Sequence, residues 1–309
     1  MRVLFNFRSG FTALREGFEA LGHEVIENQW GSGSAAGADL CVADFVDCAR
    51  NLRRTLAYAR ALRRQSIPFI AFNRDAPWHR GIHRTRLALI AALAPFDGYA
   101  THSMQEGKRY ARHVIYCANA AQEGAYHANA AALREMRDPG YFHRDVSFLG
   151  NLDFARYPEH RARAEFLGAL DERLRKQGVT TLFRNSAGMT ATEHLDIFRR
   201  SRVNLSAAVA CDAGRERSWG LPERCYGVPA CGGFVLSDER HHAQDDFAAD
   251  EWAAYSGLDD CIAKIHTYLA KPAIARAIAE RAHARVMRDH LYRHRAARLL
   301  DFASNVHAT

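Results

Sequence analysis

Short apolar runs alternate with amphipathic stretches of helical period along this chain, and the alternation starts afresh past residue 145. The run RVLFNF at 2–7 reads as a buried strand, and 11–21 as a helix stopped by Gly22. Residues 39–43 are a second apolar run, after which Leu52, Leu56, Ala59 and Leu62 mark a helix over 49–64. IPFIAF at 67–72, then 98–101 and 113–116, read as further strands. Strands that alternate with helices call for a parallel sheet with helices on its faces.

A polar stretch rich in Ala and Asn, about 119–145, has no clean period and carries the turn Asp138-Pro139-Gly140, so it reads as an interdomain crossing. Strands follow at 146–149, 180–183, 203–205 and 234–236, with helices at 161–177, 194–200 and 221–230, and the tail from 258 to 303 is helical almost throughout. The expected fold class is α/β, with two Rossmann-like domains facing a central cleft. The first covers 1–140 and the second 141–287, and a last helix, about 288–309, is free to pack back on the first. Ligands of such sheets bind beyond the carboxyl ends of the strands.

The N-terminus has neither the unbroken apolar stretch nor the small-residue cleavage site of a signal peptide, and no apolar run matches a bilayer, so the expected location is the cytoplasm. Seven scattered cysteines without a Cys-x-x-Cys pair make no disulfide framework and read as small buried apolar side chains. The net charge is +7, and from Arg50 to Arg86 ten arginines stand against Asp75 as the only acid. Such a field attracts a phosphorylated glycan, an acidic membrane face or nucleic acid, and it equally suits solvated helix faces. No nucleic-acid-binding module is legible and aromatics are not interleaved with the arginines, so nucleic acid is the weaker partner.

The segment GLPERCYGVPACGGFVLSD, 220–238, combines a Gly- and Pro-punctuated loop, a short helix, a Gly-Gly turn and a buried strand. A helix N-terminus near Gly220 and Leu221 offers amides to a phosphate, and Arg217 and Arg224 beside it offer charge-assisted bonds to a diphosphate. The same residues also fit an ordinary helix–strand connection in a core. A second candidate, NRDAPWHRGIHRTR at 73–86, follows the strand at 67–72 and gathers Arg74, Asp75, His79 and His83. Asp75 or a histidine there could take a proton from an acceptor hydroxyl, while a turn or solvated role fits each as well. His79 and His83 lack a third convergent ligand, so no metal is expected. His102, after the strand at 98–101, reaches the same sheet edge.

The run from Arg224 to Gly233, RCYGVPACGG, resembles the R-x-F-E-x-P-A-C-G-G segment of CgeB-like glycosyltransferases, relatives of the large retaining GT-B group. DVSFLGN at 145–151, SRVNLS at 201–206 and His290-x-Tyr292-x-x-Arg295 with Leu299-Leu300 are similar to further stretches of that family, in the same order. The resemblance covers the second half well and the first half mainly at 72–77 and 96–103. It implies a GT-B enzyme with an acceptor-binding first domain and a nucleotide-sugar donor domain, transfer with retention, and no metal or other cofactor beyond the nucleotide-diphosphate sugar. Gly150, Asn151, Arg217, Gly220, Leu221, Glu223, Arg224, Tyr226 and Gly227 are then the expected donor contacts. Asp75, His79 and His83 are the expected catalytic groups, with Arg74 and His102 on the acceptor side. The acceptor is expected to be a glycan, a lipid-linked or another anionic molecule, in keeping with polysaccharide biosynthesis and with peripheral contact at the inner membrane face. The family carries Glu, expected to grip the donor ribose, where this chain has Gly227. Glu223, one helical turn earlier, and Glu216 are the nearest acids that could replace it.

Two rivals stand beside this reading. A non-catalytic nucleotide- or nucleic-acid-binding protein would use the Arg50–Arg86 region. A dehydrogenase or epimerase would need Gly-x-Gly-x-x-Gly after the first strand, where the chain has Phe7-Arg8-Ser9-Gly10-Phe11.

Overall fold

The computed structural model describes residues 1–7, 10–27, 37–74, 84–102, 104–207 and 220–307. The chain forms two compact units. One comprises residues 1–119 with 292–309, the other residues 120–291. The stretch expected as the crossing, 119–145, therefore lies almost entirely in the second unit, and the final helix belongs to the first.

In the first unit β1 (Arg2–Asn6), α1 (Thr12–Ala20), β2 (Glu24–Glu27), β3 (Leu40–Asp44), α2 (Phe45–Arg50), α3 (Leu52–Arg64), β4 (Phe69–Asn73), α4 (Arg84–Leu93), β5 (Gly98–Thr101) and β6 (His113–Tyr116) follow in order. The six strands form one parallel sheet in the order β2-β1-β3-β4-β5-β6. The central strands are apolar on both faces because helices cover both. Val3, Leu4, Phe5, Cys41, Val42, Phe69, Ile70 and Phe72 are all buried. The side chain of Asp44 accepts the amide of Asp47 at 2.8 Å and so starts α2 directly at the end of β3. The helix expected over 49–64 is broken at Asn51, whose side chain donates to the Asp47 carbonyl.

The second unit holds α5 (Ala130–Glu135), β7 (Arg144–Gly150), α6 (Arg161–Lys176), β8 (Thr181–Asn185), α7 (Ala191–Arg199), β9 (Ser201–Ser206), α8 (Arg224–Ala230), β10 (Val235–Asp238), α9 (Ala243–Asp246), β11 (Ala254–Tyr255), α10 (Leu258–Ala270) and α11 (Pro272–Asp289). Its parallel sheet has the order β11-β10-β9-β7-β8, so the chain reverses direction across the sheet between β7 and β9. A core of Val146, Phe148, Val203, Leu205 and Leu236 packs against Leu167, Leu170 and Leu174 of α6 and Ile262 and Ile265 of α10.

The last helix, α12 (Tyr292–His307), packs on α1 in the first unit. The contact is close because Gly17 has no side chain: a Cβ there would come within 2.6 Å of the Tyr292 carbonyl oxygen. No helix among the described residues is long and apolar enough to cross a membrane.

Candidate functional site

In an open parallel sheet the crevice for a ligand opens beyond the carboxyl ends of the strands between which the winding reverses. In the second unit those ends are Gly150-Asn151 after β7 and Ser206-Ala207 after β9. Arg163, only 5% exposed, ties them together. Its Nε donates to the Ala207 carbonyl and its Nη1 to the Asn151 carbonyl, each at 3.1 Å. The Asn151 side chain in turn accepts the Asp153 amide at 2.9 Å, which fixes the loop.

Arg224, the first residue of α8, reaches the same edge. Its Cζ lies 4.4 Å from the Phe148 ring centroid, and that of Arg163 lies 5.9 Å from it, so one aromatic ring supports two guanidiniums. Arg224 Nη1 is enclosed and has no hydrogen-bond partner among the described residues. Burial pushes the Arg224 pKa down, Cys225, Asp238 and Tyr255 oppose this, and Arg240 adds to it. A buried cationic donor without an acceptor suits an anion. Gly150 makes room for the guanidinium: a Cβ at this position would stand 2.6 Å from Arg224 Nη2 and 2.8 Å from the Phe148 ring.

The other expected donor residues divide. The amide of Cys225 bonds to the Pro222 carbonyl at 2.9 Å, and those of Tyr226 and Gly227 bond to the Glu223 carbonyl at 3.0 and 2.9 Å. The preceding turn thus occupies these amides, and the guanidinium of Arg224 is a donor at this end of α8. Gly220 and Leu221 are buried, Leu221 completely. Tyr226 points into the core, where its hydroxyl donates to Asp246 at 2.7 Å and its ring packs on Phe247 and His290. That placement makes it a support for α8, with no surface left for a donor. Glu223 is half-buried beside Tyr126, whose phenol pKa is raised first by burial and then by the Glu223 charge. The Tyr126 ring also covers Gly227, 3.3 Å from where a Cβ would be. The position at which the resembled family carries Glu is therefore roofed by a tyrosine in this chain.

Neither Arg163 nor Tyr126 was a candidate on sequence grounds. Arg163 carried a legible signal, since it shares the buried stripe of α6 with Leu167, Leu170 and Leu174, where helical spacing asks for an apolar residue.

At the carboxyl edge of the first unit's sheet, Arg74 and His102 come together around Asn119. The Arg74 guanidinium stacks 3.8 Å from the Phe11 ring centroid, and its carbonyl accepts from Asn119 Nδ2 at 3.5 Å. Asn119 Nδ2 also lies 3.4 Å from Nδ1 of the buried His102. Arg295 of α12 holds the Asn119 carbonyl through Nη2 at 2.9 Å. Asp75, His79, His83, Arg217 and Glu216 lie outside the described residues. Arg50, Arg53, Arg54, Arg60, Arg63, Arg64, Arg84 and Arg86 are exposed on or beside α2, α3 and α4. The described cysteines are buried and free, and burial pushes the Cys225 thiol up to about 11. Among the described residues no group of three or more His, Cys, Asp or Glu could hold a metal ion.

A comparison with curated proteins finds no match. Among solved structures the chain is similar to sucrose-phosphate synthase from Thermosynechococcus elongatus, at 13% identity over 99% of each chain with a TM-score of 0.63. It is similar to Anabaena HepE in complex with UDP, at 12% identity over 99% of this chain and 100% of that one, TM-score 0.62. A third is an α-glucosyltransferase in complex with UDP and a 13-mer DNA, at 10% identity over 98% and 99% of the two chains, TM-score 0.58. These likenesses run through both parallel α/β units and show the GT-B fold. The model of the glycosyl transferase-like family matches residues 130–301. That span is more than half of the chain and contains β7, the Arg163 tie, α8 and Arg224, so the chain belongs to the glycosyl transferase-like family.

Proposed function

We propose that the protein is a CgeB-like hexosyltransferase that takes its sugar from a nucleotide-diphosphate sugar, with the donor diphosphate at Arg224. The observation that carries this reading is the enclosed Arg224 Nη1, without a hydrogen-bond partner among the described residues, at the sheet edge where β7 and β9 diverge. An unsatisfied buried donor costs about 1–3 kcal/mol, more when charged, and a phosphate oxygen would remove that cost. As the glycosidic bond breaks, negative charge grows on the departing diphosphate, and a preorganised guanidinium stabilises it. The sugar carbon passes through an oxocarbenium-like state. Arg163, by fixing the loops at Asn151 and Ala207, keeps that donor site in shape. HepE has been solved with UDP and with UDP-glucose, which makes a uridine donor the first choice here.

The finer assignments rest on sequence and resemblance. Asp75, His79 or His83 takes the acceptor proton, and Arg74 and His102 contact the acceptor. Transfer proceeds with retention and without a metal or another cofactor. The acceptor is a glycan, a lipid-linked or another anionic molecule met in the cytoplasm, with the exposed arginines of α3 and α4 meeting an anionic membrane face. The rival reading, a nucleotide- or nucleic-acid-binding protein without catalysis, uses those same arginines. Membership in a glycosyl transferase-like family favours the transferase. The test is a panel of UDP-, GDP-, dTDP- and CDP-sugars, in chelator, followed for release of the nucleoside diphosphate. Release from one base class is the expected result. Silence across the panel, with salt-sensitive oligonucleotide binding, would overturn the proposal.

A further inference from the structure

The second unit carries another cavity, of about 400 Å³, within the roughly 300–1,000 Å³ span of small-molecule sites. It lies at the opposite end of the sheet from Arg224. Phe142 precedes β7, Arg202 is the second residue of β9 and Phe234 precedes β10, and all three line it beside the first turns of α11. Phe142, Phe234 and Tyr268 give its lining an aromatic part. The rings of Phe234 and Tyr268 pack at 4.7 Å, and the Arg202 Cζ lies 5.4 Å from the Phe142 centroid.

Charge in this cavity is out of balance. Arg137 grips Glu280 with two bonds, Nε to Oε1 at 2.8 Å and Nη2 to Oε2 at 3.1 Å. Arg202 pairs with Asp145 at 3.4 Å and donates to the Pro139 carbonyl at 3.1 Å. Arg276 shares the Glu280 carboxylate with Arg137. Glu280 Oε1 stands 3.7 Å from its Nε, beyond hydrogen-bonding distance, and that Nε is enclosed without a hydrogen-bond partner among the described residues. The remaining donors of Arg276 go to the Gly232 carbonyl at 2.5 Å and to Met136 Sδ at 3.6 Å. Burial pushes its pKa down, Glu280 opposes this and Arg137 adds to it.

We infer that this cavity is a second ligand site that takes a small aromatic anion, an aryl carboxylate or aryl phosphate. The ring lies against Phe234 and Tyr268 and the anionic head meets the guanidinium of Arg276, which lines the cavity. The site stands apart from the donor reading, since none of its residues is among the donor candidates. Arg276 also donates to the carbonyl of Gly232, just past α8.

The test is calorimetric titration of the full chain with phenyl phosphate and with benzoate, using inorganic phosphate and phenol as controls. Saturable one-to-one binding of at least one aryl anion is expected, tighter than either control by about tenfold. Arg276→Met, which keeps the packing of the stem, and Ala277→Phe, which fills the cavity without touching a polar contact, should each weaken it by about tenfold or more. Arg224→Met should leave it intact, and a comparison of benzoate with phenyl phosphate identifies the preferred head group. The inference is overturned if neither aryl anion binds at millimolar concentration or if inorganic phosphate binds as well. Binding that follows Arg224, or that survives in a folded Ala277→Phe protein, would overturn it equally.

Discussion

Arg224 Nη2 stands 2.6 Å from the point where a Cβ on Gly150 would be. The last residue of β7 is glycine because the guanidinium that opens α8 occupies its side-chain space, above Phe148. Gly150→Ala should therefore push the guanidinium off its seat and lower UDP affinity by about tenfold, while the protein stays folded. Calorimetric titration with circular dichroism separates these effects. Unchanged affinity in the alanine variant would mean that the guanidinium's position is immaterial to the nucleotide.

Tyr226 lies within the resembled motif and faces away from the edge that Arg224 reaches. Tyr226→Phe removes a buried hydrogen bond to Asp246 and should cost about 1–3 kcal/mol of stability with no change in UDP affinity. Chemical denaturation and titration check the two halves. A loss of affinity at undiminished stability would return Tyr226 to the donor site.

Gly227→Ala gains about 0.8–1 kcal/mol of helix propensity but presses on the Tyr126 ring, 3.3 Å from the new carbon. The substitution should stabilise the protein more in a Tyr126→Ala background than in the parent. Thermal midpoints of the four proteins of this cycle measure the coupling. Equal gains in both backgrounds would show that the ring does not confine position 227.

Two helical glycines should respond in opposite directions. Gly17→Ala drives a methyl into the Tyr292 backbone, 2.6 Å away, and should destabilise the packing of α1 on α12 by about 1–3 kcal/mol. Gly168 on α6 is exposed and its new Cβ would meet nothing within 4 Å, so Gly168→Ala should stabilise by about 0.5–1 kcal/mol. Denaturant midpoints of the pair decide it, and destabilisation by both would contradict the packing described.

The strands that the sequence made legible are those buried on both faces, such as β1, β4 and β7, whose apolar runs have no other use. β2 was hidden because EVIE is a short edge strand with both ends exposed. α4 was hidden because RTRLALIAAL buries only Ile90 and so shows no stripe. The start of α7, expected at 194, is at Ala191, fixed by the capping box of Thr190 and Glu193 that its Thr-x-x-Glu spacing encodes. Within the site, Arg224 could be read from its charge beside a Gly- and Pro-rich loop. The direction of Tyr226 could not, since it is set by Asp246, twenty residues further along the chain. Arg163 was readable as an arginine in a leucine stripe, but what it ties together depends on which strands become neighbours.

The most direct test of the account is UDP affinity in the wild type and in Arg224→Met, which keeps the packing on Phe148 and removes the donor. Loss of a charge-assisted hydrogen bond of about 1.5–3 kcal/mol should weaken UDP binding by roughly ten- to a hundred-fold, with the melting temperature in the absence of nucleotide unchanged or raised. Equal UDP affinity in the two proteins would contradict the assignment of the diphosphate to Arg224, and with it the proposed donor site.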